Sequence, residues 1–242
     1  MILVCLDTST AAGSVALLRD RELLASTTGD STVPHARRLP ADVLNLLAGA
    51  GLSASDVDVF AVVTGPGAFT GLRIGIASIQ GLAFANSRPT VGISALEASA
   101  HAALDGDPAG GLIGVLLDAG RREVFTALYD ASVEGTIVTL RAIEPPAVSS
   151  AAVAIERWAP LVGTRPVRLT GSGAIAYTET LTRVAVGTVV VRSSGGLAAS
   201  AGRLAYDAHA AGQSGPPHAL HPLYVRRPDA ELARAAAIPD RR

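Results

Sequence analysis

The chain has 242 residues, of which 49% are hydrophobic and 17% charged, and its formal net charge is −1. This length is enough for one large domain or for two smaller lobes, each with a buried core. The chain contains arginine but no lysine, so P-loop, Schiff-base and kinase-type lysine chemistry is excluded. The arginines never form a run longer than a pair, which disfavours strong autonomous binding to nucleic acid.

The cysteine content and the N-terminus indicate a cytoplasmic protein. Cys5 is the only cysteine, which excludes internal disulfides and cysteine-rich metal sites. Its apolar surroundings favour an inert core thiol over a nucleophile. The opening segment MILVCLDTST lacks the basic region of a signal peptide, and no apolar run reaches the length of a membrane span.

Apolar periodicity predicts strands and helices in the first half of the chain. Three strands come first, with the sequences ILVCLDTS, GSVALLRD and RELLASTT. A helix is predicted in ARRLPADVLNLLAGAGL, with Pro40 in its first turn and Gly49 or Gly51 at its end. The strand DVDVFAVVTG precedes a second helix, TGLRIGIASIQGLAFANS, for which Thr70 is the expected N-cap. The strand RPTVGIS and the helix SALEASAHAAL follow.

The second half of the chain is predicted to repeat the opening pattern. Residues 104–111, LDGDPAGG, are the expected hinge between two lobes. Beyond it, VLLDAGRREVFTALY from Val115 aligns without gaps on VCLDTSTAAGSVALL from Val4. Both segments contain an apolar strand that ends in an aspartate, a tight turn and a returning strand, which places Asp118 at the position of Asp7. Two similar lobes are therefore expected, each opening with a β-hairpin.

Three further segments are predicted to be a strand, a helix and an arm. VRLTGSGAIAY is expected to be a strand that runs into a Gly-Ser-Gly turn, and GGLAASAGRLAYDAHAAG to be a helix of small residues. The end of the chain, from SGPPHALHPLYVRRPDAE onward, is rich in proline and arginine. It is expected to be an extended arm with a loose tail.

Asp7 and Asp118 have two interpretations. In the first, each carboxylate caps its own turn, as aspartate commonly does. In the second, the two aspartates face each other across an interlobe cleft and hold metal beside a nucleotide, as in the actin–Hsp70–sugar kinase design. Each turn has a single glycine, so arginines of the second turn would have to bind the anion. The Gly65-Pro66-Gly67 turn is either a phosphate cradle or a sharp strand-to-helix reversal, and the missing N–H of proline favours the reversal.

Histidines and serines do not form a pattern typical of a metal centre or a hydrolase. None of the five histidines belongs to an HxxxH or HExxH pair, and no serine lies in a G-x-S-x-G context.

The second helix contains small residues four positions apart. They are Gly71 and Gly75, followed by Ala77, Gly81 and Ala85. Such rows allow another backbone to come close, and larger apolar side chains occupy the remaining directions. The helix is therefore expected to be covered on most sides, by the fold or by a partner helix.

Together these motifs resemble the TsaB (YeaZ) family, the bacterial partner subunit of the system that makes threonylcarbamoyladenosine in tRNA. The matching segments occur in order from residue 2 to about residue 230 and are DTST…SVALL, H-ARRLP, TGPGAFTGLRIG…GLAFA, GISALEA, LLDAGRREVFTALYD, LTGSGAIAY and PLYVRRPDAE. The resemblance implies an α/β, two-lobed actin-like or RNase H-like (ASKHA) fold, each lobe a mixed β-sheet flanked by helices. It implies an N-terminal lobe with dimerisation helices at 1–105, a C-terminal lobe at 106–225 and a tail at 226–242. The last helix of the C-terminal lobe, at about 196–212, is expected to pack back on the first lobe.

The resemblance also implies a function. Members of the family bind and activate TsaD, the threonylcarbamoyltransferase, together with TsaE, for N6-threonylcarbamoylation of adenosine 37 in ANN-reading tRNAs. TsaD holds metal with an H-x-x-x-H pair, and the matching positions here are Ala95 and Ser99. The chain is therefore expected to be a non-catalytic subunit that binds no metal or cofactor itself, in a complex that uses ATP and Mg²⁺. The implied partners are a TsaD homologue and a TsaE homologue, and in isolation the chain is expected to form a homodimer. It is expected to contact tRNA only through the complex and not to bind a membrane.

Two candidate sites follow from the resemblance and the helix pattern. A partner interface is expected on the first-lobe helices, at Leu39, Val43, Leu46, Leu47, Phe69, Leu72, Arg73, Ile76, Ile79 and Gln80. A vestigial nucleotide cleft is expected at Asp7, Thr8, Ser9, Asp118, Arg121, Gly171 and Gly173. The alternative function is a stand-alone ATP-binding phosphotransferase or ATPase built on the two aspartates. The chain departs from the family pattern at His221 in the arm and in the glycine position of DAGRRE.

Overall fold

The computed structural model describes residues 1–105, 109–184, 188–191 and 196–226. The first half of the chain forms a five-stranded sheet from β1 (Ile2–Asp7), β2 (Ser14–Arg19), β3 (Glu22–Thr28), β4 (Val59–Gly65) and β5 (Thr90–Ser94). The strand order is β3-β2-β1-β4-β5, with antiparallel pairing among β1, β2 and β3 and parallel pairing among β1, β4 and β5. Leu3 and Cys5 point into one apolar cluster and Val4 and Leu6 into another, so both faces of the sheet are buried.

The second sheet repeats this arrangement. Its strands are β6 (Gly111–Asp118), β7 (Val124–Glu134), β8 (Ile137–Ser149), β9 (Val167–Thr170) and β10 (Thr188–Val191). The order β8-β7-β6-β9-β10 has the same sequence of antiparallel and parallel neighbours. In each sheet an aspartate ends the central strand and pairs with the first residue of the returning strand, Asp7 with Ser14 and Asp118 with Val124. The predicted repeat and the predicted fold class are confirmed.

Helices cover both sheets. They are α1 (His35–Gly49), α2 (Phe69–Ala85), α3 (Ala95–Ala102), α4 (Ala151–Val162), α5 (Ser172–Ala176), α6 (Thr178–Val184) and α7 (Ala198–Ala210). Leu39 of α1 and Ile79 of α2 pack on one face of the first sheet. Ala201 and Ala205 of α7 pack on its other face, where their small size lets the helix lie close to the strands. In the second lobe, Trp158 of α4 is the largest fully buried side chain.

Helix α3 packs against both lobes. Ala95 and Ala98 belong to the apolar cluster of the first sheet. Leu96 and Ala100, on the other side of the helix, pack with Ile113 of β6 in a cluster of the second sheet. One short helix therefore contributes to two cores and holds the lobes in contact.

Two predicted helix starts are wrong. Helix α1 begins at His35, so Pro40 lies in its second turn, where the missing N–H removes one backbone hydrogen bond. Helix α2 begins at Phe69, so Thr70 is already inside the helix and Ala68 takes the N-cap position without a side-chain hydrogen bond. In both cases the helix begins one residue before the predicted segment.

The predicted lobe boundaries stay predictions. The hinge at 104–111 and the tail at 226–242 include residues 106–108 and 227–242, which lie outside the described residues. Within the described residues, none of the helices has the length and apolar character needed to cross a membrane.

His101 of α3 is a buried ionisable side chain. It is 3% exposed, and neither ring nitrogen bonds to another of the described residues. Burial lowers the pKa of His101 from 6.5 to about 4, because the imidazolium ion would lose its hydration. The charge of Asp105 raises this pKa, and the charges of Arg203 and Arg21 lower it. His101 is therefore neutral at pH 7.

We predict that His101 destabilises the folded protein as the pH falls from 6.5 toward 4. In this window the unfolded chain binds a proton at His101 that the folded chain does not bind, which costs up to about 3 kcal/mol. The measurement is the free energy of unfolding between pH 7 and pH 4. It compares the wild type with His101→Gln and with the exposed-site control His218→Gln. The difference between wild type and His101→Gln should vary with pH; a constant difference would contradict the prediction.

Candidate functional site

The turn between β1 and β2 begins at Asp7, one of the two aspartates considered for metal binding. Its buried carboxylate accepts the backbone N–H and the hydroxyl of Ser9, at 2.8 and 2.6 Å. Burial raises the pKa of Asp7, while the bonds from Ser9 and from the backbone N–H of Leu197 lower it. Nearby, the Ser14 hydroxyl accepts the N–H of Ala198 at 3.1 Å. Asp7 and Ser14 therefore hold their own turn and the start of α7.

Helix α2 lies directly against the same turn. A Cβ atom on Gly71 would lie 2.2 Å from the Thr8 carbonyl oxygen, and one on Gly75 would lie 2.1 Å from the Thr8 hydroxyl. A Cβ atom on Gly67 would lie 2.6 Å from Cβ of Ser9. These glycines of TGPGAFTGLRIG bring α2 against the chain's own backbone, which favours the strand-to-helix reversal over a phosphate cradle.

Helix α1 holds this turn from another side, a role that the sequence pattern does not predict. His35 Nε2 lies 2.9 Å from the carbonyl oxygen of Thr10. The Arg38 guanidinium donates to the carbonyl oxygen of Ala12 and forms an ion pair with Asp42 at 2.6 Å. A histidine and an arginine three positions apart at a helix start were visible in the sequence, but nothing in their spacing indicated the loop that they face.

The second aspartate, Asp118, lies in an exposed turn. Its Oδ1 accepts the N–H of Gly120 at 3.0 Å, and its own N–H donates to the Ser172 hydroxyl at 3.0 Å. Both aspartates therefore cap their own turns. Among the described residues, no group of three or more His, Cys, Asp or Glu side chains is placed to hold a metal ion.

A cavity of about 760 Å³ lies between the two turns. Ser9 and Asp118 line it, as predicted for the nucleotide cleft, together with Thr10 and Ser172. Its other walls are mostly apolar and come from the β4–α2 junction, β7 and residues 223–226. The remaining residues predicted for the cleft are outside its lining, and these are Asp7, Thr8, Arg121, Gly171 and Gly173. Thr8 and Gly173 are buried, and a Cβ atom on Gly171 would lie 2.4 Å from a carbonyl oxygen of β6. Close packing therefore places Thr8, Gly171 and Gly173 behind the cavity wall.

Residues 215–226, which we call the strap, run beside this cavity from the first lobe to the second. The strap exchanges two backbone hydrogen bonds with Thr90 of β5, at 2.8 and 2.9 Å. The Gln80 amide of α2 donates to two strap carbonyl oxygens, at 3.0 and 3.3 Å. At the far end, Arg226 donates to the carbonyl oxygen of Ala119 at 2.9 Å. The strap is the described part of the predicted arm, and it ties the two lobes together.

Phe69, Arg73 and Tyr224 form a stacked cluster beside the cavity, which we call the aromatic–arginine triad. The two ring centroids lie 5.4 Å apart, with 27° between the ring planes. The guanidinium carbon of Arg73 lies 4.0 Å from the Phe69 ring centroid, and its Nε donates to the Tyr224 hydroxyl at 3.1 Å. The triad joins the start of α2 to the strap.

Most of the predicted partner interface is internal to the chain. Six of its residues are at most 4% exposed and belong to the core, and these are Leu39, Val43, Leu47, Leu72, Ile76 and Ile79. This part of the prediction is corrected, because the apolar stripe of each helix faces its own sheet. Of the others, Phe69 and Arg73 are exposed, whereas Leu46 and Gln80 are partly buried.

The solvent side of α1 and α2 is made of different residues, and we call it the outer α1–α2 face. Leu44 of α1 is 54% exposed and Phe84 of α2 is 80% exposed. Ala77, Gly81 and Ala85 are also exposed, and a Cβ on Gly81 would meet nothing within 4 Å. The two rows of small residues on α2 thus point in different directions, one toward the turn after β1 and one toward solvent.

We predict opposite effects of alanine in the two rows of α2. Gly71→Ala should lower the free energy of unfolding by about 1–3 kcal/mol, because its methyl group would overlap the Thr8 carbonyl oxygen. Gly81→Ala, the matched control, should raise it by up to about 1 kcal/mol through helix propensity alone. Urea titrations of both variants measure these changes. Equal effects at the two positions would show that α2 does not pack against the turn.

Comparisons with known proteins agree with this architecture. A protein-family model described as TsaD, tRNA N6-adenosine threonylcarbamoyltransferase, matches residues 30–209. The chain is 39% identical over 126 residues to the tRNA threonylcarbamoyladenosine biosynthesis protein TsaB of Haemophilus influenzae, a match that covers 52% of each chain. It is 35% identical over 137 residues to the protein of the same name from Escherichia coli, covering 56% of this chain and 58% of the relative. The chain thus spans about half the length of the curated relatives it matches.

Two solved structures from Pseudomonas aeruginosa are similar over both lobes. The structure of YeaZ is 32% identical with a TM-score of 0.74, and the match covers 92% of this chain and 99% of YeaZ. The structure of a protein described as having similarity to peptidase YEAZ is 30% identical with a TM-score of 0.76, covering 93% of this chain and 99% of that chain. On these identities and coverages, the chain belongs to the TsaB/YeaZ family.

Proposed function

We propose that the chain is a non-catalytic subunit in the biosynthesis of threonylcarbamoyladenosine in tRNA. It binds a TsaD homologue, together with a TsaE homologue, and activates the transferase for N6-threonylcarbamoylation of adenosine 37 in ANN-reading tRNAs. The names of the relatives from H. influenzae and E. coli support this pathway. The match to the transferase family model supports kinship with the proposed partner.

The observation that carries the proposal is the outer α1–α2 face. Phe84 is 80% exposed on a helix whose Ala77, Gly81 and Ala85 are exposed as well, and this combination is characteristic of an interaction surface. Because the space outside Gly81 is empty, a helix of another chain can approach the α2 backbone closely. Leu44 of α1, which is 54% exposed, is another exposed apolar side chain on these two helices. The face therefore suits the docking of a helical partner.

Asp7 and the two α3 positions that resemble the metal site of TsaD are engaged in structural contacts. Asp7 holds its own turn. Ala95 and Ser99, at the positions that resemble the metal-binding histidines of TsaD, are buried in α3, where the Ser99 hydroxyl donates to the Ala95 carbonyl oxygen at 2.7 Å. These contacts support a subunit that leaves the chemistry, and the ATP and Mg²⁺ that drive it, to its partners.

The outer α1–α2 face accommodates one partner at a time. In isolation the chain pairs with a second copy through this face, and in the complex the TsaD homologue takes the place of that copy. The complex acts in the cytosol and binds tRNA as a whole, since a net charge of −1 gives this chain little attraction for RNA by itself.

We predict that Gly81→Arg weakens binding to the TsaD homologue, because the long side chain would occupy the space that a partner helix needs. The dissociation constant should rise at least about tenfold, measured by calorimetry and by co-elution from a sizing column. Val153→Arg, at an exposed apolar position of α4 in the second lobe, is the matched control and should bind as the wild type does. Tight binding by Gly81→Arg would contradict the proposed docking face.

The second candidate function is a stand-alone ATPase or phosphotransferase. The cavity of about 760 Å³, with Ser9, Thr10 and Asp118 in its wall, is the observation that favours it. Calorimetry of the isolated chain with Mg-ATP distinguishes the two functions. Micromolar binding that is lost in Asp118→Ala would support the enzyme, and the absence of binding would support the docking subunit.

A further inference from the structure

Arg73 is held in place by the triad but keeps its outer donors available. Its Nε is bonded to the Tyr224 hydroxyl, and one face of the guanidinium lies on the Phe69 ring. No carboxylate in the described part of the chain forms an ion pair with Arg73 of α2, whereas Arg226 of the strap is paired with Glu123. The two Nη groups of Arg73 therefore present a fixed fork of donors to solvent, a geometry that fits a carboxylate.

An apolar surface adjoins this cation. Phe69, Tyr224 and Leu223 are 43%, 40% and 36% exposed, and all three line the cavity. Aromatic residues beside an oriented arginine are the typical composition of an interface hot spot. A ligand that satisfies both features carries a negative charge next to an apolar group.

We propose that the triad and the adjoining cavity bind an extended acidic segment of the transferase partner. A carboxylate of the segment pairs with Arg73, and a neighbouring apolar side chain enters the cavity. This inference rests on the proposed function and adds a second contact to the outer α1–α2 face. A nucleic acid fits less well, because it carries a charge at every nucleotide, whereas Arg226, the arginine that lines the cavity, is already paired with Glu123.

The geometry of the triad favours such binding. Phe69 and Tyr224 orient the guanidinium before the partner arrives, so little side-chain freedom is lost on docking. Arg73 also lies four positions before Ala77, one helical turn along the same exposed side of α2. A partner seated on the outer α1–α2 face can therefore reach the triad without crossing a gap.

The test is calorimetric titration of the full chain with the purified transferase partner at low and at high salt. Arg73→Glu should weaken binding roughly tenfold or more and reduce its salt dependence, because a charge-assisted contact is replaced by repulsion. Arg73→Lys keeps the charge but loses the fork, so it should weaken binding by a smaller factor. Arg19→Glu is the matched control, an exposed arginine at the opposite end of the first sheet, and should leave the affinity unchanged.

If Arg73→Glu binds the partner with wild-type affinity and salt dependence, this inference is wrong. The proposed function is still upheld in that case if Gly81→Arg weakens binding as predicted. Unchanged affinity for the transferase combined with loss of tRNA from the complex would also overturn the inference, since the site would then bind RNA. Tyr224→Phe removes only the hydroxyl that orients Arg73, and it should weaken binding by a small factor. Thermal unfolding of each variant identifies any change that comes from misfolding.

Discussion

The close approach of helix α2 to the turn after β1 is the contact on which the rest of the first lobe depends. At Gly71 and Gly75 a methyl group would come within 2.2 Å of an oxygen of Thr8, so only glycine permits this distance. His35 and Arg38 of α1 hold the same turn from another side. The contact fixes the position and rotation of α2. It also buries Thr8 at the start of that turn.

The rotation of α2 determines which of its side chains reach solvent. With its glycines against the turn and Ile79 in the core, the helix presents Ala77, Gly81 and Phe84 outward. The internal contact and the proposed docking face are two sides of one helix, so a change that rotates α2 alters both. The strap adds a second constraint, because it is bonded to α2 through Gln80 and to the second lobe through Arg226.

Local sequence patterns were sufficient for eight of the ten described strands, for the opening hairpin of each lobe and for helices α1, α2, α3 and α7, because each of these elements buries a periodic set of apolar side chains. They did not indicate β8, β10, α4 or α6, and they predicted only a turn where α5 forms. The patterns were not sufficient to assign surfaces. The sequence pattern predicts that Leu39 and Ile76 contact a partner protein, but both lie in the core. Apolar spacing shows that one face of a helix is buried, and it does not show whether the chain's own sheet or a partner covers that face. The triad joins Arg73 to Tyr224, 151 positions along the chain, and no local pattern encodes a contact of that range.

The central claim is that this chain works by presenting the outer α1–α2 face to a partner chain. Hydroxyl-radical footprinting of the chain with and without the TsaD homologue tests it most directly, because the method reports the exposure of individual side chains. Phe84, which is 80% exposed, and Leu44, which is 54% exposed, should lose reactivity on binding, whereas Val153 on α4 should not. Unchanged reactivity of Phe84 and Leu44 in a complex that has formed would contradict the account.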